Sequence, residues 1–358
     1  MALHVRGVVL PDDEVRDLWL DGDRVSFEPV PGAQTVADRG YLLPGLVDAH
    51  CHIGIRPGGG PIGSLDEARE LAAVDRAAGT LTIRDAGSPF PYAELDDDPD
   101  VPRLVRAGRH VAPVRRYLRG IGIEVPDADL PATLAEQAKA GTGWVKLVGD
   151  WIDREVGDLA PAFDPAAVAA GIEAAHAAGA KVAVHTFSEE AVATLVRAGV
   201  DSVEHGTGLS LDLIDELARR GTALVPTMIN IENFDAIAAR AEPKFPRYAA
   251  HMRALRAGFP AVVRAAYEAG VRIHVGSDAG GGVPHGMAAR EMLLLHERAG
   301  MAPLDVLRAG SWGAREWLGF PGLVEGGLAD LVVYDRDPRA DLTALLEPGH
   351  IILRGRLA

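Results

Sequence analysis

The sequence predicts an α/β chain: a (β/α)8 TIM barrel, with a small β-sandwich formed jointly by the N- and C-terminal segments. Three observations carry this reading. Short apolar segments alternate with amphipathic helical patterns through the middle of the chain. Brief strand blocks broken by Asp, Gly and Pro turns occupy both ends. Polar residues recur where the middle strands finish, the face on which barrel enzymes place their chemistry. The expected division is 1–44 with 317–358 for the small β-domain and 45–316 for the barrel.

The N-terminal block, from Val5 to about Val36, runs through turns such as Asp21-Gly22-Asp23, and the stretches 328–335 and 351–355 have the same character. Strand blocks at both ends of an α/β middle suggest that the two ends pair. Between them, candidate strands fall at 46–52, 80–85, 103–108, 144–148, 181–185, 202–205, 223–227 and 272–278. Helical patterns lie at 165–178, 189–198, 211–220 and 258–269. A doubly wound open sheet is the alternative arrangement. No Gly-x-Gly-x-x-Gly opens a helix after the first strand and no Gly-Lys-Ser/Thr occurs, so dinucleotide and P-loop binding have no support. The glycines at 58–60 and 280–282 read as loop flexibility.

Composition is that of an ordinary soluble globular chain, with 48% hydrophobic and 24% charged residues over 358 positions. A net charge of −15 argues against nucleic acid as a partner and gives no reason to expect an acidic membrane surface. No apolar signal core opens the chain and no run reaches membrane-spanning length, so the expectation is a cytoplasmic protein. One cysteine cannot build a disulfide framework. The expected partner is a small-molecule substrate, with a homo-oligomer left open.

Against that background a few residues stand out. His50 and His52 are separated by one residue at the end of a buried strand, so both imidazoles share a face and can ligate one metal ion, while Cys51 points the other way. Lysine occurs at only four positions, and Lys146 interrupts the apolar strand 144–148. His185 closes the fifth strand, His205 the sixth and Asp278 the eighth. Any one of these alone reads as a polar strand end. Six on one rim, four of them histidine, point to metal binding. A buried lysine has its charged form disfavoured, which leaves a neutral amine able to add carbon dioxide; a salt-bridged core lysine is the alternative.

In His50-Cys51-His52, Lys146, His185, His205 and Asp278 the chain resembles the amidohydrolase superfamily, in particular members whose two divalent metals are bridged by a carboxylated lysine. The stretches 44–48 and 325–333 look like that family's two sandwich–barrel junctions. The resemblance implies one metal held by His50, His52 and Asp278 and another by His185 and His205, with the carbamate of Lys146 and a hydroxide between them. Zn2+ is the expected metal, with Mn2+ or Fe2+ as alternatives. Asp278 is then the general base and acid.

Around 146–150, 225–227 and 284–286 the chain looks most like the prolidase and imidazolonepropionase-like branch, which implies cleavage of an amide C–N bond in a dipeptide, N-acyl amino acid or related amide. An Xaa-Pro or Xaa-Arg/Lys dipeptidase is one form of that. The loops depart from it: Arg115, Arg116 and Tyr117 stand where that branch tends to carry Gly-Gly-His, and Met228-Ile229-Asn230 where it tends to carry tyrosine. Arg115, Arg116 and Tyr117 are candidate substrate contacts, as is His285 on a loop after the eighth strand. Asp48 and Asp85 are candidates for supporting the ligands. Cys51 reads as a small buried hydrophobe, His274 as a filler of a barrel layer, and His110 as ambiguous. Rival readings are a lactone or phosphotriester hydrolase on the same two metals, a mononuclear deaminase and a non-catalytic scaffold.

Overall fold

The computed structural model describes residues 2–358. Eight parallel strands in two ladders form its centre. The first ladder joins Leu46–Cys51, Thr80–Asp85 and Arg103–Arg106. The second joins Trp144–Val148, Lys181–Thr186, Ser202–His205, Ala223–Val225 and Arg272–Ile273 in that order. These are called the first to eighth central strands below. Every residue of the second and fourth is buried, as expected of strands covered on both faces. The chain leaving the third strand forms Val111–Pro113, which pairs with the fourth at Leu147. At the other end, Ala49 N donates to Val275 O and Asp278 N to His50 O, each at 2.7 Å, so the eighth segment is bonded back to the first.

The eighth segment departs from expectation. Only Arg272–Ile273 has ladder geometry; 274–278 continues extended and turns inward, with Asp278 at a φ of 59°. Gly276 makes this possible, because a Cβ there would meet Val225 Cγ1 at 2.4 Å and His50 Cβ at 2.7 Å. The close approach brings Asp278 beside the histidines of the first strand.

The helices begin and end where local chemistry directs. Ser188 caps Glu189–Ala198 by accepting from Ala191 N, and Gly199 closes it in the left-handed region. Leu211–Arg220 is bounded the same way by Ser210 and Gly221. The helix expected at 258–269 is a correction: it is the C-terminal part of the longer Pro246–Glu268. Proline removes one ladder bond and reads as a breaker. Here Pro260 is carried by a continuous buried stripe of Tyr248, Met252, Leu255, Phe259, Val263 and Ala266.

The terminal segments make one eight-stranded mixed sheet. Tyr41–Pro44 pairs antiparallel with Leu331–Tyr334, joining the two ends of the sequence, and in Leu3–Val9 buried residues alternate with half-buried or exposed ones. Leu3, Val5, Leu18, Leu20, Leu331 and Ile352 belong to a core separate from the central one. Among the described residues, no helix is long and apolar enough to cross a membrane.

Candidate metal centre

Six side chains from five strands converge on the C-terminal rim. The His50 ring centre lies 5.1 Å from that of His52 and 5.0 Å from that of His205, and His185 is 4.8 Å from His205. Asp278 Oδ1 stands 3.2 Å from His50 Nε2 and 3.0 Å from His52 Nε2, and Lys146 Nζ is 3.4 Å from His50 Nε2. One donor atom from each of His50, His52 and Asp278 lies within 4.8 Å of the others. Strand parity explains the cluster: His50 and His52 face inward while Cys51 faces the outer helices. His205 and Asp278, with Thr227 at the end of the seventh strand, sit at positive φ (67°, 59° and 48°), the sparsely populated backbone found at functional sites.

Three of the four imidazoles are oriented through one ring nitrogen. His50 Nδ1 is 2.7 Å from Glu204 Oε2, His52 Nδ1 3.0 Å from Gly87 O, and His205 Nδ1 2.7 Å from Thr227 Oγ1. Glu204 is fully buried and is itself held by Arg84 Nη2 at 2.7 Å and Ser202 Oγ at 2.5 Å. Burial works against its charge, yet Arg84 and the His50 bond hold its carboxyl well below the usual range. His185 Nε2 faces Asp150 Oδ1 at 3.7 Å, and neither atom has a hydrogen-bond partner among the described residues. The other oxygen of Asp150 accepts from Phe187 N, Ser188 N and Thr186 Oγ1.

The electrostatics suit a cation. Burial pushes His185 and His205 well below the usual histidine range, so their lone pairs are free for coordination. Burial also pulls the ammonium of Lys146 down to about 8. Against its own desolvation, the neighbouring histidines keep Asp278 ionised well below the carboxylate norm. The neutral imidazoles of His185 and His205, a carboxylate and a lysine easily deprotonated belong to a donor set that fits divalent cations.

The outlying candidates divide. Asp48 accepts from His50 N at 3.1 Å and Ser277 N at 3.0 Å, stitching the first strand to the eighth segment. Asp85 accepts from Ile53 N and from Gly87 N, bracing the turn whose carbonyl holds His52. Tyr117 stands at the site: its ring meets Trp151 edge-on at 4.7 Å and lies 5.6 Å from His110, which stacks on His52 at 5.1 Å.

Arg116 is a correction. Arg116 spends its guanidinium on the carbonyls of Pro161, Ala160 and Trp151 at 2.9, 3.1 and 3.2 Å, so it props the hairpin of Asp150–Asp153 and Asp158–Pro161 rather than facing a ligand. Arg115 is exposed, held at a φ of 59° by its N–H to Glu124. His285 is also a correction. Its loop folds over the outside of the first strand, placing the ring against Asp75 and Cys51. Sequence reasoning missed Glu204, Arg84, Asp150 and Thr227, and also Asn230, whose Nδ2 donates to Asp278 Oδ2 at 2.6 Å. The signal for Glu204 was a carboxylate inside a short buried strand, two residues after Ser202 and so on its face.

Comparison with known proteins places this geometry in context. The chain is 51% identical over 357 residues to an uncharacterized protein of Mycobacterium tuberculosis, covering 99% of this chain and 95% of that one. It is 26% identical over 219 residues to ochratoxinase of Aspergillus niger, covering 59% of this chain and 45% of that one. Among solved structures, a Xaa-Pro dipeptidase superposes with a TM-score of 0.82 at 24% identity over 100% of this chain and 99% of that one; the likeness is one of fold, of TIM-barrel type. The model of the amidohydrolase family matches residues 41–356, and the chain belongs to that family.

Proposed function

We propose that this protein is a metal-dependent hydrolase that cleaves an amide C–N bond of a small molecule. The observation that carries the reading is the placement of Lys146. It is 2% exposed, with its amine 3.4 Å from His50 Nε2 on a rim that also gathers His52, His185, His205 and Asp278. His50, His52 and Asp278 would hold one divalent cation and His185 and His205 a second. The neutral amine of Lys146 would add carbon dioxide with release of a proton, and the resulting carbamate would supply an anionic oxygen donor to the centre. When bound, such cations supply Lewis acidity toward a carbonyl and make water a nucleophile near neutral pH.

The chain's own residues do the rest. Asp278 takes the proton of the attacking water and returns it to the leaving nitrogen, with Asn230 fixing its second oxygen. Tyr117, Trp151 and His110 wall the site with rings, which suits a planar or apolar group on the substrate. Because Arg116 is committed to carbonyls and Arg115 is exposed, an N-acyl or aryl amide fits better than a dipeptide anchored by its carboxylate.

The test is metal content beside turnover for wild type and Lys146→Ala, screened over dipeptides, N-acyl amino acids, cyclic amides and lactones. Two equivalents of metal and amide turnover are expected in wild type, with the second equivalent and turnover lost in the variant. Full activity of Lys146→Ala would refute the reading, and preference for lactones would move the chain to the ester-cleaving alternative.

A further inference from the structure

On the opposite face of the first central strand lies a second cluster of potential ligands, and we propose that Cys51, Asp75 and His285 supply three of the four ligands of a separate site for one zinc-like cation. The three come from different elements: Cys51 from the first strand, Asp75 from the helix Leu65–Ala77, and His285 from the loop after the eighth segment. Cys51 Sγ is 3.7 Å from His285 Nδ1 and 3.7 Å from Asp75 Oδ2, and His285 Nδ1 is 2.8 Å from the same oxygen. In a tetrahedral zinc site, with Zn–S about 2.3 Å and Zn–N and Zn–O about 2.0 Å, the sulfur edges measure about 3.5 Å and the N···O edge about 3.3 Å. The two sulfur edges are already close to that. Only the N···O edge has to open, by about half an ångström.

Charge supplies an independent argument. Cys51 and Asp75 are fully buried, and His285 is 7% exposed. Among the described residues Asp75 has no lysine or arginine within ion-pair distance; its one basic neighbour is His285. A buried carboxylate without a cation is costly. A divalent ion that displaces the thiol proton to solvent would be balanced by one thiolate and one carboxylate, leaving His285 neutral and the site uncharged. Thiolate, imidazole and carboxylate together select zinc, cobalt or iron over magnesium or calcium.

The site would have a structural purpose. Asp75 Oδ1 also accepts from Gly286 N at 2.6 Å, so one ion would lock the first helix and the loop after Asp278 onto the strand that carries His50 and His52. The alternative is a plain imidazolium–carboxylate pair with Cys51 as filler.

Cobalt separates the two, because Cys51 is the chain's single cysteine. Full-length protein, stripped of metal and reloaded with Co2+, should show near-ultraviolet thiolate-to-cobalt absorption. It should also bind one equivalent more than Cys51→Ala, in which that absorption is absent. His285→Gln should weaken the band and shrink the rise in unfolding temperature that Co2+ gives, each protein being compared with its own metal-free sample. Saturation with Co2+ without a thiolate band, or equal metal content in wild type and Cys51→Ala, would overturn the proposal. If Cys51→Ala fails to fold, the wild-type spectrum decides alone. The rim site contains no thiol, so the result is independent of the proposed hydrolase activity.

Discussion

Glu204 orients His50: by accepting from Nδ1 it directs Nε2 toward Lys146 and Asp278, and Arg84 keeps it charged. Outer partners of this type are worth 10- to 100-fold in metal affinity. Glu204→Gln keeps the shape but weakens the bond to His50, so a loss of about 10- to 100-fold in metal affinity is expected, measured by titration with a competing chelator. In the proposed hydrolase Asp278 would have two tasks, ligand and proton carrier. Asp278→Asn retains a neutral oxygen donor but cannot hold the proton, so turnover should fall by about two to four orders of magnitude while part of the metal remains, checked by steady-state rates beside metal analysis. Both residues lie on strand ends, yet only Asp278 was legible in the sequence. Strand parity sets Glu204 on the face of Ser202 rather than that of His205, and its partners Arg84 and His50 are more than 100 positions away.

At the scale of elements, the hairpin of Asp150–Asp153 and Asp158–Pro161 brings Trp151 over the site, and Arg116 is its prop. Removing a charged donor from three carbonyls should destabilise the hairpin by about 1.5–3 kcal/mol. Arg116→Ala is expected to speed amide hydrogen exchange across 150–161 selectively and to raise KM for substrates that contact Trp151. Unchanged exchange with lost binding of substrate carboxylates would return Arg116 to the role of clamp. The central strands were legible because strands buried on both faces are continuous apolar runs; those at 80–85, 144–148 and 202–205 have the bounds their residues predict. The hairpin and the N-terminal half of Pro246–Glu268 were not. The first uses short segments such as Asp150–Asp153 whose partner is set by a turn, and in the second Pro260 hides a helix sustained by packing.

For the whole molecule, the buried carboxylate of Asp330 is the joint. Arg103 Nε reaches it at 2.5 Å from the third central strand and Arg315 Nη2 at 3.3 Å from the helix Trp312–Trp317, while Arg354 N of the terminal sheet donates at 2.8 Å. Asp330→Ala strands the buried Arg315 and should cost about 3–5 kcal/mol, read from denaturant unfolding. A second global property is acid sensitivity. His274 stacks on Trp317 at 4.2 Å with both ring nitrogens unpartnered among the described residues, and burial lowers its pKa from 6.5 to about 3. The unfolded chain therefore binds a proton that the folded one refuses between those values. The neutral ring's full contribution holds above pH 6.5 and is lost progressively as pH falls, reaching a deficit of about 2 kcal/mol at pH 5. His274→Phe should remove that part, so the gap in stability between variant and wild type is expected to move in the variant's favour from pH 7 to pH 5, measured by unfolding at each pH.

The six rim residues, the alternation of strand and helix and the strand character of both ends were determined by the sequence alone, since apolar period and strand-end chemistry are local properties. Which polar side chains face the site was decided by the tertiary structure. Arg116, His285 and Glu204 differ from their expected roles, or escaped notice, because a long side chain or a loop chooses its partner in space. The pairing of Cys51 with Asp75 and His285, 24 and 234 positions distant, likewise exists only once strand, helix and loop are brought together.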